Sequence, residues 1–394
     1  MLVWKASRYF FFPTPAYSNM TGLYIHIPYC LHKCGYCDFN SAKMNEAEVE
    51  PYRNALFREM EHYAKGMPIS TIFLGGGTPT ILPVPFLEQI LEKCHAHFKV
   101  PPDCEITIEA NPATISLGQL QKLRAAGYNR ISIGVQSFHE HELKRLDRVH
   151  SVEEVYSTVN RAREAGFDNL SLDLMFALPG QSMEEWEDNL SQALALRPDH
   201  ISTYNLTIES GTAFHKAQSQ GKLIMPPEDF QLRFYKKTIK ILKVAGYQHY
   251  EISNFCKPGK ESQHNLNYWQ NGEYLGLGAG ASSYMKGTRF KNLDTPSRYI
   301  KDVLQKGTAV EFSEQPGSPT AMGETLMLGL RLLRGVDIQR FENRFKTSFS
   351  QTYAKSIASL LEHKLIVMNR NRIALSRRGL FLADSVILEF IPSA

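Results

Sequence analysis

The chain has 394 residues, a formal net charge of +4 and an ordinary composition, 43% hydrophobic, 21% charged and 11% aromatic. This excludes a disordered or collagen-like chain and leaves no general electrostatic case for a nucleic-acid partner. Six cysteines, three of them in one loop, exclude a disulfide scaffold and point to a reducing compartment with a single thiolate site.

Residues 1–20, MLVWKASRYFFFPTPAYSNM, are aromatic-rich but broken by Pro13 and Pro15, and their apolar run is too short to span a membrane. They read as an N-terminal extension, or as a start upstream of a true one at Met20, and the protein as cytoplasmic. From residue 21 to about 250, short apolar runs alternate with helical segments, the pattern of repeated βα units around a parallel sheet. The expected strands are Leu23–Ile27, Thr71–Leu74, Glu105–Ile108, Arg130–Gly134, Leu170–Met175 and His200–Asn205. Helices fit between them at Glu46–Tyr63, Pro85–His97, Ser116–Ala126, Val152–Ala165 and Met183–Leu196. Ala126-Gly127-Tyr128, Ala165-Gly166-Phe167 and Ala245-Gly246-Tyr247 repeat one helix-ending signal, with glycine at the C-cap. Six units are too few for an eightfold barrel and suit an open, partial (β/α)6 barrel.

The rhythm changes after residue 250. Residues 251–314 hold QHNLNYWQNGEYLGLGAGASSY, whose Gly276–Ala281 stretch imitates a dinucleotide fingerprint but follows no strand–helix unit and reads as a glycine-rich packing loop. Residues 315–394 read as helices, a hairpin from Leu365–Val367 through Asn369-Arg370-Asn371 to Ile373–Leu375, and a last helix: a small α+β, winged-helix-like accessory domain. Its Arg370, Arg372, Arg377 and Arg378 read as a solvated wing, not as a DNA contact.

In βα architectures chemistry gathers at the C-terminal ends of the strands. There the chain carries the cysteine loop (Cys30, Cys34, Cys37), then Gly75-Gly76-Gly77-Thr78-Pro79, Glu109, Gln136 and Asp173. The C-x3-C-x2-C trio lacks the second close pair of a structural zinc site, although His32 inside the loop offers a fourth ligand. Cys94, Cys104 and Cys256 are isolated and read as small buried apolar residues. Three thiolates on a [4Fe-4S] cubane would leave one iron open to a ligand bearing an amine and a carboxylate.

The trio after a first barrel strand resembles the hallmark of the radical S-adenosylmethionine superfamily, and Tyr36 fits the aromatic found before the third cysteine there. The resemblance implies a [4Fe-4S] cluster and S-adenosylmethionine as cofactors. It also assigns the Gly76-Gly77-Thr78 backbone to the methionine amine. Tyr24, Glu109, Gln136, Arg148 and Asp173 match S-adenosylmethionine-holding residues of the oxygen-independent coproporphyrinogen III oxidase group. Arg148 can pair bidentately with the carboxylate, and Glu109 and Asp173 can accept bonds from the ammonium or the ribose.

Two features separate the branches of that group. Its porphyrinogen-oxidising members carry a further cysteine where this chain has Phe39, and His264-Asn265-Leu266-Asn267-Tyr268-Trp269 resembles the HNxxYW motif of its heme-chaperone branch. That branch implies heme as cargo, heme-accepting proteins such as respiratory enzymes as partners, and is compatible with peripheral membrane contact. His264 is then the candidate axial ligand, with Asn265 or Asn267 orienting the imidazole and Tyr268 and Trp269 covering the porphyrin. The alternative is a radical oxidative decarboxylase acting on coproporphyrinogen III.

Overall fold

Alternation with a period of two builds the barrel wall, and the computed structural model describes it within residues 21–392; the N-terminal extension expected over residues 1–20 lies outside the described residues. In β1 (Thr21–Ile27), Leu23, Ile25 and Ile27 are fully buried in the main apolar core, while Tyr24 faces an interior cavity. Two short strands follow, β2 (Tyr29–Cys30) and β3 (Ala42–Lys43), which pair in parallel and clamp the intervening loop. The repeat then runs through α1 (Glu46–Tyr63), β4 (Ile69–Gly76), α2 (Val84–His97), β5 (Glu105–Ala110), α3 (Leu117–Ala126) and β6 (Arg130–Gln136). It continues with α4 (Glu140–Arg145), α5 (Val152–Glu164), β7 (Leu170–Phe176), α6 (Met183–Ala195) and β8 (His200–Asn205).

The six expected strands lie in parallel in the order β1-β4-β5-β6-β7-β8. Most run one or two residues beyond their apolar signal because the parallel ladder continues: Gly76 pairs with Ile27 and Gln136 with Leu174. Helices α3, α5 and α6 start on reciprocal capping boxes, Ser116 with Gln119, Ser151 with Glu154 and Ser182 with Glu185. Gly127, Gly166 and Gly246 all take the left-handed backbone that ends the preceding helix, and each is followed by a buried aromatic.

Beyond α7 (Ala213–Ser219) and α8 (Glu228–Val244), the chain seals what six strands leave open. β9 (Gln248–His249) and β10 (Asn254–Cys256) add antiparallel strands to the β8 edge. After α9 (Gln263–Trp269), β11 (Tyr274–Leu277) joins the β1 edge in parallel, and β12 (Ser282–Met285), β13 (Thr288–Asn292) and, past α10 (Pro296–Lys306), β14 (Val310–Glu314) extend it to a twelve-stranded sheet. Residues 251–314 thus contribute to both edges of the barrel sheet. The glycine-rich stretch is a packing loop: Ala279 N–H donates to Tyr52 Oη at 3.0 Å, and Ala279 O accepts from Asn40 Nδ2 at 3.1 Å.

The remaining chain forms α11 (Ser318–Gly329), β15 (Val336–Asp337), α12 (Ile338–Phe345), α13 (Phe349–Thr352), α14 (Ala354–Glu362), β16 (Ile366–Met368), β17 (Arg372–Leu375) and α15 (Ala383–Leu388). A three-stranded sheet, β15-β17-β16, and a separate apolar core that includes Leu326, Phe341, Phe349 and Ile373 make this the small α+β unit. It docks on the barrel through Ile252 N–H to Arg331 O at 3.1 Å and Leu333 N–H to Tyr250 O at 3.1 Å. Among the described residues no helix is long and apolar enough to cross a membrane.

One buried carboxyl ties α1 to these additions. Glu59 has no solvent exposure and accepts from Tyr299 Oη (2.6 Å), Asn292 Nδ2 (2.7 Å) and Gly278 N–H (2.8 Å). Burial outweighs those three donors and pushes the carboxyl from 4.5 up to about 7. A carboxyl raised in this way binds its proton more tightly folded than unfolded, so its contribution is full below pH 4.5 and is lost as pH climbs through 7. Urea denaturation of Glu59→Gln at pH 5 and pH 8 should show the variant gaining on the parent by up to about 3 kcal/mol at the higher pH. A difference independent of pH would show that Glu59 is ionised throughout.

Candidate functional site

The cysteine loop is held from both ends by hydrogen bonds of its own backbone. Ala42 N–H donates to Pro28 O and Met44 N–H to Cys30 O, each at 2.8 Å, and Lys33 Nζ donates to Phe39 O and Ser41 O inside the loop. His26 Nε2 contacts Asn40 O at 2.8 Å, and Asn40 Nδ2 reaches over to Asp294 O at 2.9 Å. Cys30, Cys34 and Cys37 are free and half-buried, and burial is the largest cause raising the Cys34 and Cys37 thiols. Two donors reach the sulfurs: Thr78 Oγ1 to Cys30 Sγ at 3.7 Å and Arg148 Nη1 to Cys34 Sγ at 3.6 Å. Cys94, Cys104 and Cys256 are buried elsewhere.

A zinc tetrahedron with 2.3 Å bonds puts its sulfurs about 3.8 Å apart. Among the described residues, the only three-membered group of potential ligand atoms within 4.8 Å of one another is His141, Glu142 and Glu185, which includes none of the thiols. His32, the fourth zinc ligand allowed by sequence, pairs instead with Asp147, Nε2 to Oδ2 at 2.8 Å. Three soft thiols that do not all lie within 4.8 Å of one another, with cationic and hydroxyl donors beside them, suit the larger iron–sulfur cubane.

Around this loop the strand ends converge. Gly76 N–H donates to Glu109 Oε2 at 3.2 Å, and a Cβ on Gly76 would stand 2.4 Å from the His26 ring, so glycine is required there by close packing against β1. Gly77 N–H and Thr78 N–H donate to Ile27 O and Tyr29 O, both at 2.7 Å, which binds this backbone to the start of the cysteine loop. Gln136 sits at φ +66° where the β6–β7 register slips, a left-handed conformation sustained by the surrounding sheet. Tyr36 is packed edge-on against Phe214.

Arg148, read from the sequence as a partner for the S-adenosylmethionine carboxylate, stands beside the cysteine loop. Its Nη2 donates to Asn111 Oδ1 at 2.6 Å and Gly134 O at 2.9 Å while Nη1 faces Cys34; only Nε is buried without a partner. Asn111 also donates from Nδ2 to Thr78 Oγ1 at 2.8 Å, so one amide joins the GGGTP turn to the arginine that faces Cys34. Sequence reasoning missed Asn111, although its position directly after β5 in EANP was the available signal. Glu109 and Asp173 share a cavity of about 190 Å³ with Tyr24, Arg130 and His264. Burial, then repulsion from Asp173, raises Glu109 to about 8; burial also raises Asp173, against the hydroxyls of Ser202, Ser132 and Ser171 and the charge of Arg130.

His264, the candidate axial ligand, lies inside the barrel. It is 1% exposed, with Nδ1 at 2.7 Å from Thr71 Oγ1 and Nε2 at 2.9 Å from Tyr268 Oη. Its orienting partners are therefore Thr71 and Tyr268, not Asn265 or Asn267; Asn267 Nδ2 donates to Glu273 O. Burial and the nearby Arg130 push the imidazole down to about 3, so it stays neutral. Glu105, the first residue of β5, accepts the N–H groups of Gln263 and His264, both at 3.1 Å, and fixes α9 across the end of the barrel opposite the cysteines.

Asn111→Ala should cost about 1–3 kcal/mol, because it strips a partner from two buried groups at once. Guanidinium denaturation reads that loss, and Thr78→Ala in the same background should add little if the two groups act through one amide. Full additivity would mean that Asn111 does not couple them.

Residues 24–193 match the Radical SAM superfamily and residues 318–382 the HemN C-terminal domain. Heme chaperone HemW of Lactococcus lactis is 38% identical over 368 residues, covering 93% of this chain and 96% of that protein. Heme chaperone HemW of Escherichia coli is 44% identical over 263 residues, 66% of this chain and 68% of that one. The solved structure of coproporphyrinogen III oxidase HemN from Escherichia coli superposes with a TM-score of 0.83 at 25% identity, over 94% of this chain and 90% of that chain. With the cysteine loop, the strand-end ring and both matched segments in place, the chain belongs to the HemW family of heme chaperones within the radical SAM superfamily.

Proposed function

We propose that this protein binds a [4Fe-4S] cluster through Cys30, Cys34 and Cys37, binds S-adenosylmethionine at the adjoining strand ends, and carries heme to acceptor proteins such as respiratory enzymes. The observation that carries the reading is the near end-to-end likeness to proteins named heme chaperone HemW. The cubane supplies an open iron on which an amine and a carboxylate can chelate. The chain's own residues do the rest. Arg148 and Thr78 offset negative charge on the sulfurs, Tyr36 walls the loop, and the Gly76-Gly77-Thr78 turn, Gln136, Glu109 and Asp173 line the cofactor's side of the barrel, with Tyr24 beneath.

The second reading, oxidation of coproporphyrinogen III, draws on the fold shared with HemN. Phe39, exposed where the oxidising branch has a further cysteine, favours the chaperone. Anaerobically reconstituted protein should hold close to four irons, and Cys30→Ser, Cys34→Ser or Cys37→Ser should each abolish the cluster absorption, since a hydroxyl replaces a soft thiolate poorly. Substitution of Cys94, Cys104 or Cys256 should leave the iron in place. The protein should shift the Soret band of added heme and release no carbon dioxide from coproporphyrinogen III; turnover would restore the enzyme.

The ionisation of Glu109 adds a pH signature. With its carboxyl raised to about 8, the residue is protonated at neutral pH and becomes a full acceptor only above that value. Affinity for the cationic S-adenosylmethionine, measured by calorimetry, should rise between pH 6.5 and 8.5, and Glu109→Gln should flatten the rise. A rise that persists in the variant would move the titration to another group.

A further inference from the structure

We propose that heme is ligated by His32, on the outer rim of the cysteine loop. This rests on the heme-binding reading above and names its site. A transferred heme needs an axial ligand that solvent and an acceptor can reach, and a flat apolar surface beside it. His264, His200, His26 and His150 are all buried, and both nitrogens of His264 and of His200 are bonded within the barrel. The His32 side chain is 40% exposed, and Asp147 orients it through Nε2 while Nδ1 takes no hydrogen bond among the described residues. A carboxylate on one imidazole nitrogen is the arrangement that fixes the ring and raises the basicity of a metal-ligating histidine.

Of the other histidine–carboxylate pairs among the described residues, His97 with Glu61 and His139 with Asp188 have less exposed imidazoles than His32, which leaves His141 for comparison. His141 faces Glu185 at 2.9 Å, but Glu185 also closes the α6 capping box, and His141 sits among Glu140, Glu142 and Lys144. His32 lies between Leu31 and Lys33, and its partner Asp147 is two residues from Val149. Leu31 and Val149 are exposed apolar side chains, and Phe39, whose carbonyl accepts from Lys33, is a third on the same loop. Isolated exposed apolar residues are ordinary, but Leu31 and Phe39 share the loop with His32, and Val149 is two residues from its partner Asp147. Lys144, exposed on the helix that precedes Asp147, and Lys33, whose Nζ also holds Phe39 O and Ser41 O, carry positive charge of the sign that the two heme propionates require.

The test is a ferric heme titration of the full chain with its cluster reconstituted, read by the Soret band and by iron content. His32→Ala should lose the imidazole-ligated spectrum and weaken binding by roughly tenfold or more, and Asp147→Asn should weaken it in the same direction. Leu31→Glu with Val149→Glu should lower affinity while the spectrum of bound heme keeps its imidazole character. His141→Ala and Tyr268→Phe, the second freeing a nitrogen of His264, should bind as the parent does. An unchanged spectrum and affinity in His32→Ala overturns the assignment, as does loss of the imidazole spectrum in Tyr268→Phe alone. Should His32→Ala lose cluster iron, Asp147→Asn decides, since its side chain lies off the loop, and unchanged affinity there overturns the assignment. A parent protein that leaves the Soret band unmoved overturns the heme reading itself.

Discussion

Six parallel strands cannot close into a barrel, and that constraint governs the rest of the molecule. An open parallel sheet leaves two unpaired edges, at β1 and β8, and an interior row of side chains with nothing opposite. The edges are paired by β11 on one side and β10 on the other. The interior is sealed by α9, whose first N–H groups rest on Glu105 and whose His264 bonds Thr71 of β4. Those closures stand at the end of the barrel opposite the cysteine loop.

The seal also explains the polar interior. His200 stands between Ser171 Oγ and Tyr250 Oη, each at 2.8 Å, much as His264 stands between Thr71 and Tyr268. Each imidazole joins a strand hydroxyl to a tyrosine from the closing segment, and each needs to be neutral so that one nitrogen can accept. Burial and the charge of Arg130 lower both histidines, which keeps them in that state. The same guanidinium acts in the opposite sense on Glu109 and Asp173, favouring their ionised forms against burial. One buried cation therefore serves both the floor of the barrel and the carboxyls near its mouth.

The barrel was legible because its signals are local. Short apolar strands and glycine helix stops each depend on a few adjacent residues, and helix α1 matches the sequence reading from Glu46 to Tyr63. The cysteine trio was legible for the same reason. Asn111 was not, because its meaning lies in joining Thr78 and Arg148, 33 and 37 residues away in opposite directions. Arg148 was found but only half understood: its charge was visible in sequence, and its commitment to Asn111, Gly134 and Cys34 was not.

His264 illustrates a sharper limit. A histidine among asparagines and aromatics has the composition of a heme pocket and equally of a hydrogen-bonded plug, and nothing within six residues distinguishes them. The distinction comes from Thr71, 193 positions earlier, and from the barrel's need for a floor. Using His264 as an axial ligand would require breaking the bond to Tyr268 or Thr71 and reopening the interior, and an unmet buried polar group costs about 1–3 kcal/mol each time. That penalty would fall on every loading and release. A carrier avoids it when the ligand stands on a surface loop already rigid for another reason, and the cysteine loop, clamped by β2 with β3 and pinned through Asn40, is such a surface.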